Sequence, residues 1–155
     1  IKGLLSLGNP QENIMNNTTT PEQIVTDFLH ALEAKDHDKI AALLAPDLQY
    51  TNLSLPTMMG GQRVANLFEL LLRKGTGFSV KIHSLAANGD KVMTERTDII
   101  RVGTLHVAFW VCGTFQVRNG QIVLWRDYFD WLDISKGTVR GIIGIVLPKF
   151  RVSLF

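Results

Sequence analysis

The apolar residues of this chain change their spacing once, near Phe78, and that change constrains the fold more than any other feature. Before it they recur every three or four residues, the period of a buried helical stripe. After it they alternate, the period of a strand with one face covered. Ile24, Val25, Phe28, Leu29 and Leu32 form the first stripe, opened by Thr20 as N-cap, Pro21 at the first helical position and Gln23 in a capping-box pattern. A second helix starts at Asp36 or Asp38, runs through Ile40, Leu43 and Leu44, and ends near Pro46. Leu48 to Leu53 reads as a short strand. A third helix spans about Gln62 to Arg73, with Val64, Leu67, Phe68, Leu71 and Leu72 inward and Gly75 closing it.

Beyond the change, Phe78 to Leu85, Lys91 to Val102, Leu105 to Val117 and Gln121 to Trp131 read as strands. Asn88-Gly89 and Asn119-Gly120 join two pairs of them, since a tight hairpin turn needs positive φ at both central residues. Gly103 marks a third tight connection. Helices followed by a long meander predict an α+β domain, a cone-shaped curved antiparallel or mixed sheet packed on N-terminal helices around a cavity. Ser135 to Leu147 reads as a terminal helix weakened by Gly137, Gly141 and Gly144.

At 155 residues the chain has the length of one domain, able to bury roughly 70% of its unfolded surface. The expected organisation is a loosely held polar leader over residues 1–19 and a single catalytic domain over residues 20–155. Lys2 with Leu4, Leu5 and Leu7 imitates the start of an export signal, but Gly8, Asn9 and Pro10 interrupt it. With 46% hydrophobic and 19% charged residues, extended disorder is excluded. The longest apolar candidate, Ile142 to Leu147, stops at Pro148, far short of the ~20 residues a membrane span needs. The single cysteine, Cys112, excludes an internal disulfide framework. Sixteen basic against 14 acidic side chains are too balanced for a nucleic-acid binder. The four histidines, His30, His37, His83 and His106, show no metal spacing, and Gly60-Gly61 forms no phosphate loop. No metal and no cofactor is expected, in a compact cytoplasmic protein.

Strand parity then separates the faces. Val92, Thr94, Arg96, Asp98 and Ile100 share one face; Val123, Trp125, Asp127 and Phe129 share another; Tyr50 and Asn52 lie together on the early strand. Arg96, Asp98 and Asp127 are thus charged residues among apolar neighbours. Buried charges must be paired and hydrogen-bonded, and one guanidinium bridges two carboxylates through its planar fork of donors. One cation against two acids favours one extra shared proton, which would leave one carboxyl protonated and the other ionised, as simultaneous general acid and base work requires. An Arg–Asp pair two residues apart is also the pattern of an exposed cross-strand salt bridge, and Trp125 and Phe129 equally suit a plain core. Ile100, Phe109, Val111 and Phe129 fall on candidate cavity faces with Trp125 and would suit a large apolar ligand.

Three fragments, Tyr50-Thr51-Asn52-Leu53 with Pro56 following, Thr94-Glu95-Arg96-Thr97-Asp98 and Trp125-Arg126-Asp127-Tyr128-Phe129-Asp130, occur in an order and spacing that resembles the limonene-1,2-epoxide hydrolases, from about Thr20 to about Asp133. The likeness is greatest to members acting on lipid or steroid epoxides, which share the His106-to-Cys112 strand pattern and an apolar C-terminal segment. The resemblance implies a cone fold like that of nuclear transport factor two and ketosteroid isomerase, a homodimer, and a metal-free, cofactor-free hydrolysis in one step. It implies that Asp127, Tyr50 and Asn52 hold a water, that Asp127 takes its proton, that Asp98 protonates the epoxide oxygen, and that Arg96 keeps the two acids unequal. Terpene, sterol or fatty-acyl epoxides are the substrate class it suggests. An isomerase or cyclase on the same scaffold, or a non-catalytic lipid-binding or adaptor module, are the competing readings. The stretch from Thr138 to Phe155, with Arg140, Lys149 and Arg151 among apolar residues, suits dimer packing, a lid or membrane contact.

Overall fold

A computed structural model describes residues 19–53 and 55–150. The leader expected over residues 1–19 lies outside them except for Thr19. The elements are α1 (Pro21–Ala34), α2 (His37–Leu43), β1 (Leu44–Asn52), β2 (Met58–Met59), α3 (Gly61–Leu71), β3 (Thr76–Asn88), β4 (Lys91–Val102), β5 (Leu105–Arg118), β6 (Gln121–Tyr128) and α4 (Trp131–Val146). They build one six-stranded sheet in the order β2-β1-β6-β5-β4-β3. The sheet is mixed: β1 runs parallel to β6 and every other pair is antiparallel.

The helical stripe of α1 is fully used. Val25, Phe28 and Leu29 are 0% exposed and pack on the concave face of the sheet. The Thr20 hydroxyl accepts from the Gln23 amide, and Lys35 ends the helix in the left-handed region at φ 57°. Trp125 of β6 forms the centre of the core, edge-on to Phe28 at 4.9 Å and stacked on Phe68 at 5.2 Å.

Several boundaries differ from the sequence expectation, each for a physical reason. The second helix stops at Leu43, because β1 begins at Leu44 and carries Pro46 through a bulge between Leu44 and Gln49, where the missing N–H is not needed by β6. The third helix ends at Leu71, and β3 starts at Thr76 and extends to Asn88. Further bulges fall at His83 in β3 and between Gln116 and Val117 against β6. The second of these inverts the parity before Leu124, so Ile122 faces the core and Val123 does not. Bulges of this kind raise the local twist and bend the sheet around the helices.

The largest difference is at the last strand, which ends at Tyr128 instead of Trp131. Asp130 caps α4, its carboxylate accepting from the Leu132 amide at 2.8 Å, so the terminal helix begins at Trp131 and not at Ser135. Since β6 stops opposite Cys112, the stretch of β5 from Leu105 to Val111 has no strand on that side. Helix α4 covers this edge. The Asp133 carboxylate accepts from the Trp110 amide at 3.0 Å, and Gly137 and Gly141 press against the carbonyls of Ala108 and His106, where a Cβ would fall inside contact distance. The glycines that weaken α4 as an isolated helix therefore allow it to lie against a strand edge. Among the described residues no helix is long and apolar enough to cross a membrane. Gly141→Val should push α4 off β5 and lower stability by about 1–3 kcal/mol, read by denaturant unfolding, with faster hydrogen exchange at the Trp110 amide.

Candidate active site

The sheet register brings distant residues into one row. Asn52 of β1 lies opposite Asp127 of β6, Asp127 opposite Gly113 of β5, and Gly113 opposite Thr94 of β4. On one side of that row Tyr50 is opposite Trp125, and on the other side Arg96 is opposite Val111, followed by Asp98 opposite Phe109. These residues share the concave face, and all of them except Thr94 and Gly113 line one cavity of about 560 Å³. The cavity is thus walled by the expected polar set Tyr50, Asn52, Arg96, Asp98 and Asp127. The expected apolar set Ile100, Phe109, Val111, Trp125 and Phe129 lines it too. Ile100 is 43% exposed, so it belongs to the open part of the cavity, whereas Trp125 at 2% belongs to its floor.

Sequence reasoning missed the α4 side of the wall. Trp131, Ile134 and Thr138 also face the cavity. The signal for them was Asp130 followed by Asp133, a start pattern for a helix that the strand reading of Gln121 to Trp131 concealed.

Arg96 is 1% exposed, and Asp98 and Asp127 are 5% and 7% exposed. The Arg96 Nε donates to Asp98 Oδ1 at 3.0 Å and Oδ2 at 3.3 Å, and its Nη2 donates to Asp127 Oδ2 at 2.8 Å. The guanidinium therefore lies between two buried carboxyl groups. Beside it, the Asn52 amide nitrogen donates to the Tyr50 hydroxyl oxygen at 3.1 Å, which leaves the phenol hydrogen of Tyr50 directed elsewhere. Two acceptors, Asn52 Oδ1 and Asp127 Oδ1, are buried with no hydrogen-bond partner among the described residues.

Burial sets the protonation of the group. Desolvation raises Asp98 from 3.8 to about 6 against the attraction of Arg96, with the Asp127 charge adding to the rise. Burial also pulls Arg96 towards the neutral form, but the two aspartates outweigh it and hold the guanidinium more firmly charged than in water. Tyr50 is pushed well above its ordinary value by burial and then by Asp127, so its phenol stays neutral. Among the described residues no three His, Cys, Asp or Glu side chains gather as a metal site.

Fold and site together define first a class, a cone of the nuclear transport factor two and ketosteroid isomerase type that holds an Asp–Arg–Asp cluster in its cavity. The shape is shared with a ketosteroid isomerase-like protein from Catenulispora acidiphila, at a TM-score of 0.68 and 18% identity over 77% of this chain and 95% of that one. It is shared likewise with a nuclear transport factor two-like protein from Cytophaga hutchinsonii, at 0.61 and 21% over 75% and 95% of the two chains. Identities this low speak for the fold alone. Residues 19–140 match the limonene-1,2-epoxide hydrolase catalytic domain. Over 130 residues the chain is 45% identical to the epoxide hydrolase EphG of Mycobacterium tuberculosis, covering 84% of this chain and 87% of that protein. The structure of a limonene epoxide hydrolase-like enzyme from M. tuberculosis superposes with a TM-score of 0.84 and 44% identity, over 86% of this chain and 95% of that one. The chain belongs to the limonene-1,2-epoxide hydrolase family, and it is an epoxide hydrolase.

The rise of Asp98 has a consequence for stability. Below about pH 4 the carboxyl is protonated folded or unfolded, whereas above about 6 it is ionised in both, and the folded state carries the burial penalty. Its contribution to stability is therefore complete at low pH and lost as pH rises through about 6, a change on the order of 3 kcal/mol. Asp98→Asn removes this titration. The unfolding free energy of the variant should gain on that of the wild type between pH 4 and pH 8, and a gap independent of pH would contradict the assignment.

Proposed function

We propose that this epoxide hydrolase adds water directly to a lipophilic epoxide, of terpene, sterol or fatty-acyl type, and gives a vicinal diol without a covalent enzyme intermediate. The observation that carries the reading is the buried guanidinium between two carboxyls, next to two unpartnered buried acceptors. Those acceptors match the two hydrogens of one water, and the Tyr50 hydroxyl matches one of its lone pairs as donor. The remaining lone pair is then aimed at carbon.

Asp127 is the general base in this reading. It takes a proton from the water as the oxygen attacks an epoxide carbon and the C–O bond of the ring breaks. Asp98 is the general acid and gives its proton to the departing oxygen, which becomes the second hydroxyl of the diol. Asp127 ends protonated and Asp98 ionised, so one proton returns from the first to the second before the next turnover. Each group is expected to contribute about 10²–10⁴-fold. The apolar wall of Ile100, Phe109, Val111 and Phe129 supports a lipophilic substrate and the exclusion of bulk water. It is also the feature that favours lipid metabolism as the setting.

The test is a single turnover of a lipophilic epoxide in ¹⁸O-water. Label should appear in the diol at once, and label reaching a protein carboxylate first would overturn the direct attack. Asp127→Asn should lower kcat by about 10³-fold or more with the fold intact. The rate should fall on the alkaline side with an apparent pKa near 6, as Asp98 loses the proton it must donate. Tight retention of the epoxide without any diol would favour a binding module.

A homodimer, implied by the family resemblance, is the second part of the reading. It is supported by the convex face of the sheet, where Met93, Trp110 and Tyr128 are 56%, 46% and 40% exposed. In light scattering the protein should have about twice the 17.3 kDa mass of one chain, and Trp110→Glu should shift it towards the monomer.

A further inference from the structure

Arg96 has a third anchor besides its two ion pairs. Its Nη1 donates to the hydroxyl oxygen of Thr94 at 3.1 Å, and Thr94 is 2% exposed, two residues back on the same face of β4. Between β4 and β6 runs β5, so the guanidinium must cross one strand to reach Asp127, a span of about 10 Å from backbone to backbone. It crosses at Gly113. A Cβ there would stand 2.7 Å from Thr94 Oγ1 and 3.0 Å from Asp127 Oδ1, and closer still to Arg96 Nη1. Gly113 is not among the glycines of positive φ, so backbone freedom does not require it; the room it leaves does.

The geometry matters because a guanidinium edge has a better-known alternative. Nε and Nη2 form the edge that usually grips one carboxylate in a bidentate fork. In this protein the edge is divided, Nε to Asp98 and Nη2 to Asp127. If the edge closed on a single carboxylate, the other would be left buried without its counter-ion.

We propose that Thr94 and Gly113 are positioning residues for the hydration reaction: the Thr94 hydroxyl pins Nη1 and the bare backbone of Gly113 supports the guanidinium, so that its edge straddles both aspartates. The inference rests on the roles given above to Asp98 and Asp127 and goes beyond them. The shorter contact is to Asp127, at 2.8 Å, so a guanidinium released from Thr94 settles there and withdraws from Asp98. The titratable groups that face the cavity are Tyr50, Arg96, Asp98 and Asp127; α1, α3 and α4 line it with side chains that do not titrate in the working range. Loss of the cation then moves Asp98 upward.

Thr94→Val keeps the shape and removes the acceptor. Its kcat should fall about 10- to 100-fold with KM changed by less than about threefold, and the alkaline limb of the rate should move up by about half a pH unit or more. Thr94→Ser restores the hydroxyl and should restore kcat to within about threefold of wild type. Gly113→Ala should give the Val signature more severely. Wild-type kcat and pH limb in Thr94→Val, whatever its Tm, would overturn the proposal while leaving an inactive Asp127→Asn to support the base. Activity in Asp127→Asn would instead remove the reading on which the proposal rests. A Thr94→Ser variant as impaired as Thr94→Val would show that the hydroxyl is not the agent. Should the Val variant not fold, nuclear magnetic resonance of the unmodified protein decides: slowly exchanging Nη1 protons of Arg96 close to the Thr94 side chain support the proposal, and guanidinium protons averaged by rotation overturn it.

Discussion

A guanidinium that is 1% exposed is the constraint on which the rest of this structure depends. Withdrawn from water, it persists only with anionic partners and with its donors used, and both conditions are met by side chains from two strands, Thr94 and Asp98 of β4 itself and Asp127 of β6. Two carboxyls answering one cation leave a charge too many, and the surplus is removed by a proton. The same burial that makes the ion pairs necessary raises Asp98 to about 6. The two aspartates thus become unequal through their surroundings. Nothing exotic in residue type is needed; ordinary charged residues on the inward faces of β4 and β6 suffice.

The sheet provides that turn. Antiparallel pairing of β4, β5 and β6 aligns Thr94, Gly113 and Asp127, and the parallel return of β1 beside β6 adds Asn52 to the row. Bulges bend the sheet until α1 and α3 close over it. The aromatic cluster around Trp125 then does two things at once: it stabilises the fold through ring contacts with Phe28, Phe68, Phe115 and Tyr50, and it seals the floor of the polar site against water. Stability and function therefore share one core rather than occupying separate layers.

Much of this was legible in the order of residues. The change of period at Phe78, the Asn119-Gly120 turn and the parity of Lys91 to Val102 lead to the meander and to Arg96 and Asp98 on one face, because each depends only on neighbours in the chain. Asn88-Gly89 marks the other hairpin, but its turn is Gly89-Asp90, with Asn88 still paired to Lys91 in β3. Parity worked at Trp125 and Asp127 and failed at Val123, since a bulge is a property of two strands and cannot be seen in one. Pro46 looked like the end of a helix and lies in a bulged strand for the same reason. The pairing of Asn52 with Asp127 and the bridge between Arg96 and Asp127 are long-range, and periodicity carries no information about them. The bridge is expected because buried charges must pair, and the nearness of Asn52 to Asp127 came from the resemblance of three short fragments to a family. Besides the helix start at Asp130, Gly113 held an overlooked local signal, a glycine in the middle of a strand.

Helix α4 shows how a feature that reads as weakness becomes a structural necessity. Three glycines lower its intrinsic helical propensity, by about 1 kcal/mol each relative to alanine. Without Gly137 and Gly141 the helix would stand off from β5, and the backbone from Leu105 to Val111 would present an open strand edge. By lying against that edge, α4 also carries Trp131, Ile134 and Thr138 to the cavity. A seventh strand in the same place would protect the edge equally well, but its side chains would alternate across the sheet, and only half would face the cavity. A helix laid edge-on supplies its own stripe of side chains to the wall at three- and four-residue spacing. Closure of the edge and completion of the cavity are consequently one event, so the pocket that surrounds Arg96 is finished only when the last helix docks.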